Sequence, residues 1–201
     1  MSGGQGARRS LARQDWLDAA QNSLIESGIN SVKIEVLATK LAATRGSFYW
    51  HFADHSDLLV QLLAVWVETN TQPFRRVLDA DGDQPLTQAL RYAEVWLHNK
   101  FDPAFDAAVR DWGRTSETVA TTVRRIDEER LDILVNIFER IGYGNREALV
   151  RARAFYYHQV GYYALKVVQP EEERFDLFPI YFRVLTGCPI PPGAAARLGP
   201  I

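Results

Sequence analysis

KIEVLATKLAATRGSFYWHFADHSDLLVQL, residues 33–62, is the stretch on which the reading of the whole chain turns. Ile34, Leu37, Ala38 and Leu41 recur at helical spacing and give 34–41 one apolar face. Ala42-Ala43-Thr44 breaks that period, and Thr44 offers a hydroxyl N-cap to a further short helix reaching about His51. Phe48 and Phe52, four apart, read as its buried anchors, which turns Arg45, Ser47, Tyr49, Trp50 and His51 toward other surfaces. So short a helix needs neighbours to hold it. Two short helices about a tight turn suggest a helix-turn-helix, whose second helix enters the major groove of DNA.

Upstream, Trp16, Ala20 and Leu24 recur every four residues over 14–26, and Ser27-Gly28 stops the pattern, so a first helix braces the pair. Arg8, Arg9 and Arg13 precede it, as an arm for the DNA backbone or minor groove or as a solvated leader. The net charge of -2 does not mark a nucleic-acid binder. Its distribution says more: between Val36 and Ala53 there is no acid, while Lys40, Arg45 and His51 all fall there. Such a local patch can meet phosphates on a neutral domain.

Thr44-Arg45-Gly46-Ser47-Phe48-Tyr49-Trp50-His51-Phe52, followed by Asp57-Leu58-Leu59, resembles the recognition segment of tetracycline-repressor-type (TetR family) transcriptional regulators. The resemblance runs from the first helix into the fourth. It implies an all-α chain of about nine helices, with a DNA-binding domain over 1–54 and an effector-binding and dimerisation domain over 55–201. It also implies that Arg45 and Ser47 read base edges, that Tyr49 and His51 hold phosphates, and that Thr44 does either. Gly46 belongs to the same DNA-facing segment, and Trp50 stacks on the sugar-phosphate edge or packs against the first helix. Three positions depart from the family pattern. Ala42 stands where the turn glycine is usual, Lys33 replaces a capping Ser or Thr but can reach a phosphate, and His55 replaces a Lys.

Beyond the motif, 56–71 reads as a helix apolar on more than one side, suited to joining two domains. Asp79-Ala80-Asp81-Gly82-Asp83 lies in a loop over 73–85; its glycine comes too early for a calcium loop and no Glu follows at the required distance. Helices follow over about 85–100, from 103 to Gly113, and over 116–141 and 146–168, with a last one ending near Thr186 that Pro179 kinks or starts. The face from Arg124 to Arg130 reads as solvated and ion-paired. By the resemblance the last two helices form a dimer interface, for which Val160, Tyr163, Val167, Phe178, Phe182 and Leu185 are the candidates. The middle helices would enclose an effector pocket. Its candidates are Trp66, Trp96, His98, Phe101, Phe105, Arg110, Trp112, Phe155 and Tyr156, each of which also fits an ordinary aromatic core.

Catalysis and metal binding find no support: the four His have no Cys or acid at ligand spacing, and His51 and His55 straddle a helix junction. No cofactor is expected. The single Cys188 allows no internal disulfide, the N-terminus lacks a secretory core and no run reaches membrane-spanning length, so a cytoplasmic protein is expected. The expected partners are double-stranded DNA with a palindromic operator, a second copy of the chain, and a small hydrophobic or aromatic effector that releases a repressor. The alternative is a DNA-binding regulator without such an effector: an activator, an architectural factor or one controlled by another protein.

Overall fold

A computed structural model describes residues 11–79 and 84–193. Arg8, Arg9 and four residues of the Asp79–Asp83 loop lie outside them. The described residues form nine α-helices and one short 3-10 turn, with no strand. They divide into two compact units, Met1–Val65 and Trp66–Ile201. The division falls inside one long helix, whereas the sequence reading divides function between 54 and 55.

In the first unit, α1 (Arg13–Ser27) buries Trp16, Ala20 and Leu24 as their spacing requires. Gly28, at φ 73°, ends it in a backbone region where a side chain would be strained. A 3-10 turn (Ile29–Ser31) leads to α2 (Ile34–Lys40), which turns Ile34, Leu37 and Ala38 inward. Ser31 stitches the turn down, its Oγ lying 2.8 Å from the carbonyls of Ser23 and Gly28. After Ala42 comes α3 (Arg45–Phe48), capped by Thr44, whose Oγ1 accepts the Ser47 N–H at 3.3 Å. The chain then leaves the helix through a turn, so α3 ends short of His51. Phe48 is sealed between the edge of Trp16 at 5.3 Å and the face of Phe52 at 5.1 Å, which explains how one turn of helix is held. The helix α4 (His55–Arg75) is capped by Asp54, whose Oδ1 accepts the Asp57 N–H at 2.8 Å.

In the second unit, α4 runs past Thr71 and through Pro73 to bury Phe74, later than the expected end near 71. Next come α5 (Pro85–Leu97), α6 (Pro103–Gly113) with Asp102 as its N-cap, and α7 (Glu117–Ile141), closed by Gly142. Then α8 (Asn145–Ala164) stops four residues before the expected 168, because Lys166 turns left-handed at φ 50° and the Val167 N–H reaches back to the Tyr162 carbonyl. The last helix, α9 (Glu171–Thr186), passes unbroken through Pro179, whose ring lies on the exposed side. A single apolar cluster, including Phe74, Tyr92, Trp96, Leu134, Phe138, Phe155 and Phe182, joins α4, α5, α7, α8 and α9. No helix among the described residues is long and apolar enough to cross a membrane.

Candidate functional site

The turn between α2 and α3 sets the outward face of the first unit. Ala42 sits at φ 48°, the left-handed conformation its position demanded, and the Ala43 N–H then returns to the Ala38 carbonyl at 2.8 Å. With Phe48 buried, α3 and the turn after it leave Thr44, Arg45, Gly46, Tyr49 and Trp50 exposed, Trp50 by 87%. Lys33 is exposed as well, while Ser47 and His51 are half-buried. Trp50 therefore does not pack against α1. A Cβ on Gly46 would meet only Thr44 Oγ1 at 3.7 Å, so nothing inside the chain demands glycine there.

Two of these side chains are already engaged. Arg45 pairs with Glu35 of α2 at 2.9 Å, both more than half exposed. The acid-free stretch begins one residue after Glu35, so counting charges within it missed this partner. His55 lies with Nε2 2.6 Å from the Val32 carbonyl, tying the start of α4 to the loop before α2. That nitrogen faces the protein, and its bond is an internal one that spacing could not show.

The effector candidates separate into two groups in the second unit. One is a buried polar knot centred on Asp106 of α6. Asp106 accepts from Arg110 Nε at 2.7 Å, Trp66 Nε1 at 3.2 Å and Arg130 Nη1 at 3.4 Å. The other edge of Arg110 grips Asp127 at 2.7 and 2.9 Å, and the Tyr156 hydroxyl donates to the same carboxylate at 2.7 Å. Arg130 is wholly buried, donates to the Asn70 carbonyl at 2.9 Å and lies 4.8 Å over the Phe74 ring. Burial by itself would raise the Asp106 carboxyl, but the charges of Arg110 and Arg130 and the bonds from Arg110 and Trp66 outweigh it and hold it below the ordinary value. Burial pushes the Tyr156 hydroxyl up to about 12. Trp66, Arg110 and Tyr156 thus fasten α4, α6, α7 and α8 together, and Phe105 is fully buried. Asp127 and Arg130 also correct the reading of the 124–130 face: part of it is core.

The second group borders a cleft between α5, α8 and α9, lined by Trp96, Phe155, His158, Tyr162, Arg174 and Phe178 among others. Its interior offers about 60 Å³ to the centres of water-sized molecules, several times what one water needs. Of the nine effector candidates, only Trp96 and Phe155 line it. His98 lies 5.4 Å from the Phe175 ring, and Phe101 and Trp112 are buried. The dimer candidates are redistributed as well. Phe178 and Phe182 are buried in their own protomer, Val160, Tyr163 and Leu185 pack against its core, and Val167 is exposed. Tyr163 is held there by bonds to the Trp96 carbonyl at 3.2 Å and Asn99 Oδ1 at 2.8 Å. Exposed apolar residues on these helices include Val150 and Tyr157 on α8 and Ile180, Tyr181 and Val184 on α9. Of the six dimer candidates Val167 is exposed, beyond the end of α8, and the other five face their own protomer's core wholly or in part.

Among the described residues, α2, a tight turn and the short, outward-facing α3 make the arrangement of a helix-turn-helix. Residues 17–62 match the model of the family described as bacterial regulatory proteins, tetR family. The transcriptional regulator AcrR of Shigella flexneri is 38% identical over 50 residues, 25% of this chain and 23% of that protein. A transcriptional regulator from Rhodococcus sp. Rha1 superposes with a TM-score of 0.67 at 16% identity, covering 88% of this chain and 95% of that one. SmeT in its triclosan complex superposes at 0.62 with 20% identity, covering 90% of this chain and 92% of that one. These superpositions show a shared fold.

Proposed function

We propose that the chain is a DNA-binding transcriptional regulator, acting as a homodimeric repressor on a palindromic operator and released by a small hydrophobic or aromatic molecule. The observation that carries it is the outward face of α3 and the turn after it, where Arg45, Tyr49 and Trp50 project from the segment matched to the TetR family. Arg45 and Ser47 are assigned to base edges, Tyr49, His51 and Lys33 to phosphates, and Thr44 to either. Gly46 lets the backbone approach the duplex, a role supported by the free space around it. Trp50 is assigned to the sugar-phosphate edge. His55 holds the α4 start against Val32 and contributes to DNA binding through that placement.

Functionally, 1–54 is assigned to DNA and 55–201 to effector binding and self-association. SmeT holds triclosan, an apolar aromatic compound, and the aromatic cleft of α5, α8 and α9 supports a ligand of similar character here. A gel shift on the DNA upstream of the chain's own gene tests the central step. Arg45→Ala and Tyr49→Phe are expected to weaken the shift at least tenfold while leaving the melting temperature nearly unchanged, since both side chains are exposed. A matching loss of stability in both variants would place them in the fold and not on DNA.

A further inference from the structure

The cleft of α5, α8 and α9 has a chemistry that its apolar walls do not explain. Three of its residues carry buried nitrogens with no hydrogen-bond partner: Trp96 Nε1, His158 Nδ1 and Arg174 Nε. Trp96 is only 3% exposed, so its N–H is also shut off from water. An unpaired buried polar nitrogen costs on the order of 1–3 kcal/mol, and three of them belong to residues that line this one cleft. The lining includes Arg174 and no Asp or Glu. The nearest recorded acid to that guanidinium, Glu171, lies 3.8 Å away and well exposed, too long and too wet to neutralise it. Burial lowers the His158 imidazole, which keeps it uncharged near neutral pH and leaves Arg174 as the single positive charge. The remaining walls are rings and aliphatic groups: Trp96, Phe155, Tyr162, Phe178 and their neighbours.

We propose that this cleft is the binding site for a flat aromatic carboxylate, with the ring system among the aromatic walls and the carboxylate on Arg174 and the Trp96 N–H. The site deepens, and rests on, the reading of the chain as a ligand-responsive regulator. One guanidinium with two neutral polar groups matches a singly charged head, and a planar carboxylate suits the fork of an arginine.

Isothermal titration calorimetry of the full chain with 2-naphthoate, and with the uncharged 2-naphthalenemethanol, tests this. Saturable binding of 2-naphthoate, at least tenfold tighter than the alcohol, is the expected result. Arg174→Gln is expected to weaken 2-naphthoate about tenfold and leave the alcohol unchanged. Trp96→Phe keeps a ring in the wall, removes only the indole N–H and is expected to weaken 2-naphthoate several-fold, so it carries the test if Arg174→Gln does not fold by circular dichroism. No saturable binding of 2-naphthoate overturns the site, as does equal affinity of wild type and whichever variants fold. A ligand-free gel shift separates the two readings: shifted DNA without naphthoate binding removes the site alone, and naphthoate binding without a shift removes the regulator alone.

Discussion

Ala42 holds a left-handed backbone at φ 48° that an alanine adopts only at a cost. The turn needs that conformation, and the side chain opposes it. Ala42→Gly is therefore expected to stabilise the first unit by about 1 kcal/mol, read as a rise in urea midpoint with unchanged slope. The Glu35–Arg45 pair gives a second expectation. With both partners more than half exposed it contributes little to stability, yet it holds the arginine assigned to base reading against a carboxylate. Glu35→Gln should leave the melting temperature unchanged and raise operator affinity more than affinity for duplexes of unrelated sequence, because it frees Arg45 for its base edge. Unchanged operator affinity would show that the pair does not restrain Arg45.

Among the elements, α7 separates what the sequence displayed from what it concealed. Its boundaries were legible: Ser116 before it, Gly142 after it, and apolar residues at regular spacing between. Its charged stretch was not. Arg130 lies four residues after Ile126 and three before Ile133, on the apolar register, but an arginine there looks like an interruption until its partners are known. Those partners, Asp106 and the Asn70 carbonyl, are remote in sequence, and no periodicity reports a long-range ion pair. The α3 motif was readable for the opposite reason, because cap, anchors and outward side chains lie within nine consecutive residues. Asp106→Asn tests the knot by removing the charge that Arg110 and Arg130 share. Arg110 keeps Asp127, but Arg130 loses its recorded carboxylate, and a buried cation left so is expected to cost about 3–5 kcal/mol. The pH dependence has a definite sign. Asp106 is held below its unfolded value of about 3.9, so its contribution is present above that pH and disappears as the pH falls through the lower folded value. Wild type should lose stability below about pH 4 in urea titrations, and Asp106→Asn should lack that part of the loss.

For the whole molecule, the proposed homodimer raises the question of which strip of α8 and α9 would meet a second copy. A palindromic operator requires two recognition helices, so self-association and DNA affinity must fail together. The strip first expected contains Phe178 and Phe182, but these rings are buried in their own protomer, where they also line the cleft of α5, α8 and α9. The outward side of α8 and α9 exposes Tyr157, Ile180, Tyr181 and Val184, Val184 by 68%, and exposed apolar residues of this kind are what the proposed interface would cover. Tyr157→Arg combined with Val184→Arg adds charge only where the protomer is already exposed. The double variant should keep its melting profile, sediment as a monomer and bind operator at least tenfold more weakly, because one half-site alone holds it. Phe178→Ala should behave differently: it opens a cavity costing about 3–5 kcal/mol and lowers the melting temperature without yielding a folded monomer. A folded monomer from Phe178→Ala, with the double arginine variant still dimeric, would return the interface to the inner strip.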